Sequence, residues 1–170
     1  MTNEVIAAPV AGMICVFSVD SGCYAIDAAL VGEVATIDEP TPLPRCHPAV
    51  LGLANLRGQA LAIVDLAQVL GIDALTPQAP GAGSRVLVLR LPGRSAGTVV
   101  SRVEGVFPRD PASFRSANRN AEATWVAGFH LVPRRTEHQQ SELVATVIDP
   151  SELAARLSAL AFHRPAARGG

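Results

Sequence analysis

Leu51-Gly-Leu-Ala-Asn-Leu-Arg-Gly-Gln-Ala-Leu-Ala-Ile-Val-Asp-Leu66 is two apolar runs parted by Arg57-Gly58. Gly58 can take the positive φ that a tight reversal needs, so the stretch predicts a β-hairpin. Its arms are nearly continuous in apolar residues rather than alternating, which is the pattern of strands covered on both faces, as in a small closed barrel. Arg57 is the only ionic residue between Arg45 and Asp65, so the tip carries a single guanidinium on a stiff apolar lever. Two readings of that tip stand side by side: a recognition group, or a solvated turn. Beyond the hairpin, Asp65 followed by Gln68 has the spacing of a capping box, and Gly71 that of a helix stop. Asp65 therefore reads as an N-cap rather than as a catalytic acid.

The rest of the chain sets the limits. Its 170 residues are 49% hydrophobic and 17% charged, with a net charge of −1, which is a globular composition. Mean hydropathy is +0.29, yet runs such as Val86–Leu89 and Leu143–Ile148 are far too short to span a bilayer. The first residues hold Glu4 and no Lys or Arg ahead of the apolar Val5-Ile6, unlike a secretory signal, and three cysteines make no disulfide framework. The expected location is cytoplasmic. A near-neutral charge and 4% aromatic content speak against nucleic acid, which asks for a basic face and stacking rings. Surplus apolar character fits a protein-binding surface.

In chain order, Met13–Val19 and Cys23–Ile26 predict a first hairpin about Asp20-Ser-Gly22, and Ala28–Gly32 one helical turn before Glu33–Ile37 extends. Pro40, Pro42, Pro44 and Pro48 hold the next loop irregular. Residues 73–83 have linker composition. Strands follow at Arg85–Leu91, Ser95–Val100 and Val103–Phe107, then a loose basic stretch with Arg109, Arg115 and Arg119. Thr124–Val132 is a strand, Pro133–Ser141 a polar loop, and Leu143–Ile148 the last strand. Asp149-Pro-Ser-Glu152 opens a helix, Asp at N-cap and Pro at N1, that puts Leu153, Leu157 and Leu160 on one face.

The two halves repeat. Val31-Gly-Glu-Val34 matches Val103-Glu-Gly-Val106, Gly52 in Leu-Gly-Leu matches Gly128 in Ala-Gly-Phe, and Ile63-Val-Asp65 matches Val147-Ile-Asp149. The expected organisation is a single domain over 12–160, with one subdomain at about 12–72, a second at about 84–160, the 73–83 linker between them, and tails at 1–11 and 161–170 that include a frayed His163. Units this small are marginal alone, so they should pack on each other with a groove at the junction.

No catalytic or metal-binding pattern emerges. Cys46-His47 is the only adjacent soft pair, while Cys15, Cys23, His130, His138 and His163 are dispersed, so no metal site is expected. Sequence neighbours in extended chain point apart, which disfavours Cys46 and His47 as nucleophile and base. Gly81-Ala-Gly83 precedes a strand, not a helix, and is no phosphate loop. No cofactor is expected, and the chain is not read as an enzyme.

Val31-Gly-Glu-Val34 after Tyr24-Ala-Ile-Asp27, the Pro44–Pro48 loop running into Gly52-Leu-Ala-Asn-Leu-Arg-Gly58, and the Ile63-Val-Asp-Leu66 exit together resemble the CheW family of chemotaxis adaptors. The likeness continues through Ala96-Gly-Thr-Val-Val100 and Val103-Glu-Gly-Val106 to Val147-Ile-Asp149, over roughly residues 12–160. It implies a mainly β fold of two five-stranded, SH3-like barrels on a shared hydrophobic core, with a short helix after the last strand of each half. It also implies a non-catalytic scaffold that couples chemoreceptor tips to a CheA-type histidine kinase, recruited to membrane-associated arrays without entering the membrane. By itself such a chain would be a monomer or self-associate weakly. Matched by motif, the partner-binding residues would be Val31, Glu33, Gly52, Arg57 and Gly58, with Gly97 and Val106 in the second-barrel part of the groove. Glu33 would orient the Arg57 fork. Ser101 stands where the family commonly has an acid, and Leu51 where it has a polar or basic residue. The competing readings are a small-barrel nucleic-acid binder using Arg109, Arg115 and Arg119, and an enzyme using Asp65 or Cys46.

Overall fold

In the computed structural model, which describes residues 12–72, 80–81, 84–118, 123–136 and 139–160, the strands form two sheets. The first takes β3 (Val31–Ile37), β4 (Val50–Leu56), β5 (Gln59–Val64), β6 (Ser84–Leu91) and β7 (Arg94–Val99) in the order β3-β6-β7-β5-β4. The second takes β1 (Met13–Val19), β2 (Gly22–Asp27), β8 (Arg102–Pro108), β9 (Phe114–Ser116), β10 (Val126–Thr136) and β11 (Gln139–Ile148) in the order β8-β1-β2-β11-β10-β9. The fold is mainly β, as expected. Neither sheet closes, so the barrels are not present as closed barrels, and the second sheet has six strands rather than five.

The repeat is real, but the boundary drawn at 73–83 does not separate the two sheets. Position by position β3 answers to β8, β6 to β1, β7 to β2, β5 to β11 and β4 to β10. The first sheet is therefore continuous in sequence from Val31 to Val99, while the second joins the β1–β2 hairpin to everything after Arg102. Both sheets use the same parallel join, Ile63 beside Gly97 in one and Val147 beside Ala25 in the other. Residues 73–83, most of them outside the described residues, connect two strands of one sheet. Composition marks a loop well, yet it carries no information about which strands pair across it. The expected tails at 1–11 and 161–170, with His163, and the positions Arg119 and His138, also lie outside the described residues.

A shared core lies between the sheets and draws on both: Phe17, Ile26, Val31, Leu87, Leu89 and Ile148 are each at most 6% exposed. Each sheet also encloses a smaller cluster of its own, around Ile63 and Val86 in the first and around Ile14 and Val132 in the second. The helices α1 (Leu66–Leu70) and α2 (Pro150–Leu160) follow the last strand of each half as predicted. Asp65 Oδ1 accepts from the backbone N–H of Gln68 at 3.2 Å, and Gly71 closes α1 at φ 70. Asp149 Oδ1 accepts from Ser151 at 2.9 Å and from Glu152 at 3.2 Å. Leu153 and Leu157 are buried, and Leu160 packs against the same core. The short strand β9 lies in the stretch read as loose, and β10 runs further than expected. Pro133 and Arg134, read as loop, belong to β10, opposite Glu142 and Ser141 of β11. Proline is tolerated there because β9 covers only Gly128–His130, leaving β10 an edge at Pro133 where no ladder donor is needed.

Candidate functional site

The β4–β5 turn turns on two positive angles, Arg57 at φ 51 and Gly58 at φ 82, the geometry that matches the twist of a two-residue hairpin. Asn55 Oδ1 accepts from the Gly58 N–H at 2.8 Å and fixes the turn. The ladder runs in register from Leu56–Gln59 back to Gly52–Ile63, where one extra residue, Leu51, makes a bulge. The hairpin is less covered than the apolar run suggested: Asn55, Gln59 and Ala60 are exposed, and Leu51 and Leu53 are half-buried.

Bringing Arg57 to Glu33 is the work of the fold. Glu33 sits on β3, an edge strand, next to the bulge that Gly32 introduces between Val31 and Glu33. Arg57 Nη2 donates to Glu33 Oε2 at 2.7 Å, and the side chains are 58% and 11% exposed respectively. The acid is anchored in the sheet and the guanidinium stands in solvent with donors to spare, so the pair can present an ordered cation to a partner. As a stability term it is worth about 0 to 1 kcal/mol.

The other sheet repeats the arrangement. Glu104 is the extra residue of a bulge in β8, the matching edge strand. It is held bidentately by Arg102, Nε to Oε1 at 2.8 Å and Nη2 to Oε2 at 2.5 Å, and it accepts from Ser18 Oγ at 3.2 Å. These donors, Arg102 first, hold its carboxyl below the ordinary range. Glu104 was not singled out in the sequence; in the repeat it stands opposite Gly32, one position from the counterpart of Glu33, and both Gly32 and Glu104 are the extra residue of their bulge.

The seven expected partner-binding residues divide. Glu33, Arg57 and Gly58 come together at one end of the first sheet. Val31, on the same strand as Glu33, is 6% exposed in the shared core. Gly52 is buried at the bulge, where a Cβ would stand 2.5 Å from the Thr41 carbonyl oxygen. Gly97 is on β7, in the first sheet rather than the second, and a Cβ there would stand 2.5 Å from Val86 Cγ1 and 2.9 Å from Ile63 Cδ1. Val106 alone lies on the second sheet, 37% exposed on β8. Where the second half's helix meets the first sheet there is an apolar groove of about 250 Å³, lined by Val50, Val64, Ala96, Leu157 and Leu160 among others.

Other candidates resolve into structural roles. Cys46 Sγ donates to the Leu43 carbonyl at 3.2 Å and His47 Nδ1 accepts from the Ala49 N–H at 3.1 Å, so both stiffen the proline-rich loop. Cys15 is buried, which pushes its thiol up to about 12. Arg109 stacks on Phe114 at 5.1 Å. Ser101 Oγ accepts from the Asp20 N–H at 3.1 Å and ties down the β1–β2 turn. Among the described residues no group of three His, Cys, Asp or Glu could hold a metal, and no helix is long and apolar enough to cross a membrane.

Comparison with known proteins adds three findings. The family model for the CheW-like domain matches residues 14–158. The chemotaxis proteins CheW of Thermotoga maritima and Rhizobium meliloti are 31% and 30% identical over 91 residues, 54% of this chain and 58% and 57% of theirs; the chain spans less than two thirds of either relative. The crystal structure of scaffolding protein TtCheW from Thermoanaerobacter tengcongensis aligns with a TM-score of 0.62 at 25% identity, over 81% of this chain and 88% of that one.

Proposed function

The chain belongs to the CheW-like domain family, and from that membership we propose that it is a non-catalytic adaptor joining the cytoplasmic tips of methyl-accepting chemoreceptors to a CheA-type histidine kinase. Its relatives are named as chemotaxis and scaffolding proteins, and this reading places the chain in the cytoplasm beside receptor arrays. The observation that carries the site is the Arg57–Glu33 pair: a solvent-facing guanidinium held at 2.7 Å by an acid that is itself 11% exposed. A turn-tip arginine with no task would be free to move, whereas this one is aimed.

The residues share the work unequally. Arg57 and Gly58 meet the partner, and Glu33 sets the direction of the guanidinium. Val31, Gly52 and Gly97 are buried, so they act by shaping the strands beneath. Val106 offers an apolar contact on the second sheet. A helical receptor tip fits such a surface through an apolar stripe flanked by polar groups.

Arg57→Ala tests the reading. It removes little packing, so melting should be unchanged within about 1 kcal/mol. Coupling to a receptor signalling fragment, read by titration and by kinase activity, should weaken by about 1 to 3 kcal/mol, the cost of losing charged hydrogen bonds at a desolvated contact. Arg57→Lys should recover only part, since an ammonium lacks the planar fork. Wild-type affinity and full kinase coupling in folded Arg57→Ala would leave Arg57 a solvated turn residue.

A further inference from the structure

Three large apolar side chains lie open to solvent on one face of the β10–β11 hairpin: Phe129, Leu131 and Val144 are 43%, 40% and 58% exposed. They are neighbours. Leu131 pairs directly with Val144 across the ladder, and Phe129 is two residues along the same strand, so all three point to the same side. His130 and Val132, between and beside them, are buried on the opposite side.

The repeat shows that the fold does not demand this patch. Matching Gly52 to Gly128 aligns Leu53 with Phe129 and Asn55 with Leu131, and the ladder partners align Ala60 with Val144. At those places the first sheet carries a polar turn cap and an alanine. Its Leu53 is half-buried beside Thr41, the counterpart of Arg115 beside Phe129. The second sheet has placed large hydrophobes where its twin manages without them, and an exposed apolar cluster of this kind marks a contact surface.

Charge decides the occupant. Arg115 pairs in register with Phe129 on the β9 side, and Glu142 pairs with Pro133 on the β11 strand. They stand at diagonally opposite corners of the patch with Leu131 and Val144 between them. Among the described residues Arg115 donates to the backbone carbonyls of Ala112 and Phe114, and neither it nor Glu142 has an ion-pair partner there. An apolar centre with opposite charges at opposite corners complements itself: a two-fold axis over Leu131 lays each Arg115 on the Glu142 of the other copy. We propose that this face is the contact between two copies of the chain, a weak, isologous, concentration-dependent dimer. Three side chains make an interface at the small end of the range, so dissociation is on the order of 100 µM rather than nanomolar. The inference does not rest on the adaptor reading, because none of these residues touches the Arg57 site.

Sedimentation velocity of the full chain from about 10 µM to about 1 mM tests it. The weight-average coefficient of the wild type should climb from the monomer toward the dimer value. Leu131→Asp should hold at the monomer value throughout, with unchanged circular dichroism. Arg115→Glu and Glu142→Arg, each alone, should weaken association at least tenfold by setting like charges together, and the double swap should restore it. A wild type that stays monomeric at the top concentration overturns the proposal. So does association that survives Leu131→Asp, or a double swap no better than either single change.

Discussion

Side by side, the two sheets are the same design carried to different ends. Each has an acid at a bulged edge strand, a glycine beside a bulge in the hairpin that leads into its helix, a parallel join at its centre and a capped helix leaving it. In the first sheet the acid reaches a distant arginine at a hairpin tip; in the second it is closed off by an arginine two residues away on its own strand. The first arrangement leaves a guanidinium half free for a partner, while the second consumes both charges locally. The second sheet instead exposes Phe129, Leu131 and Val144. One repeat thus offers an oriented charge and the other an apolar face, so duplication of a fold has not meant duplication of a surface.

The bulge glycines should separate the sheets most strongly. At Gly52 a Cβ would collide with the Thr41 backbone, and the residue also sits at φ 149, where side chains are strained. At Gly128 it would collide with the Arg115 carbonyl oxygen, without an unfavourable φ. Gly52→Ala should therefore cost about 2 to 5 kcal/mol and Gly128→Ala about 1 to 3 kcal/mol, read by denaturant unfolding. An equal loss at both would mean that strain contributes nothing and that the sheets are closer twins than their angles indicate.

The helix caps come next. Asp65 is 2% exposed and also accepts from Gln68 Nε2 at 3.1 Å, whereas Asp149 is half-buried. Both alanine variants should lose about 0.5 to 2 kcal/mol, with Asp65→Ala at the upper end, because it removes a buried cap that accepts from both the backbone and the side chain of Gln68. Partner binding should persist in whatever remains folded. Loss of binding with unchanged melting would turn a cap into a site.

The smallest effect concerns acid. Arg102 holds the Glu104 carboxyl below its unfolded value, so its contribution is fully present above the ordinary carboxylate range and is lost as pH falls through the depressed folded value. Melting temperatures of wild type and Glu104→Gln, followed from about pH 7 to about pH 3, should differ most at neutral pH and converge at the acid end. A gap that widens on acidification would show that the carboxylate is destabilising where it stands.

Much of this protein was written in local sequence. The Arg57-Gly58 reversal, the Asp65 and Asp149 caps, the Gly71 stop and the face shared by Leu153 and Leu157 follow from turn chemistry, capping geometry and helical periodicity, each confined to a few neighbouring residues. The repeat was legible too, because bulges and caps need the same residue types wherever they recur. What sequence did not show was partnership across distance. Nothing in residues 73–83 says that they join strands of one sheet, and the run Pro133–Ser141 reads as loop until its edge position excuses the proline. Gly97 could be matched by motif, but that it is buried beside Val86 and Ile63 shows only in the fold. The pairing of Glu33 with Arg57 needed the edge strand and the hairpin tip set beside each other, and the exposure of Leu131 beside Val144 needed a register. Local rules are set by the backbone within one turn or one hairpin. Register, sheet order and surface exposure are settled by which apolar faces find each other, and that is decided only when the whole chain packs.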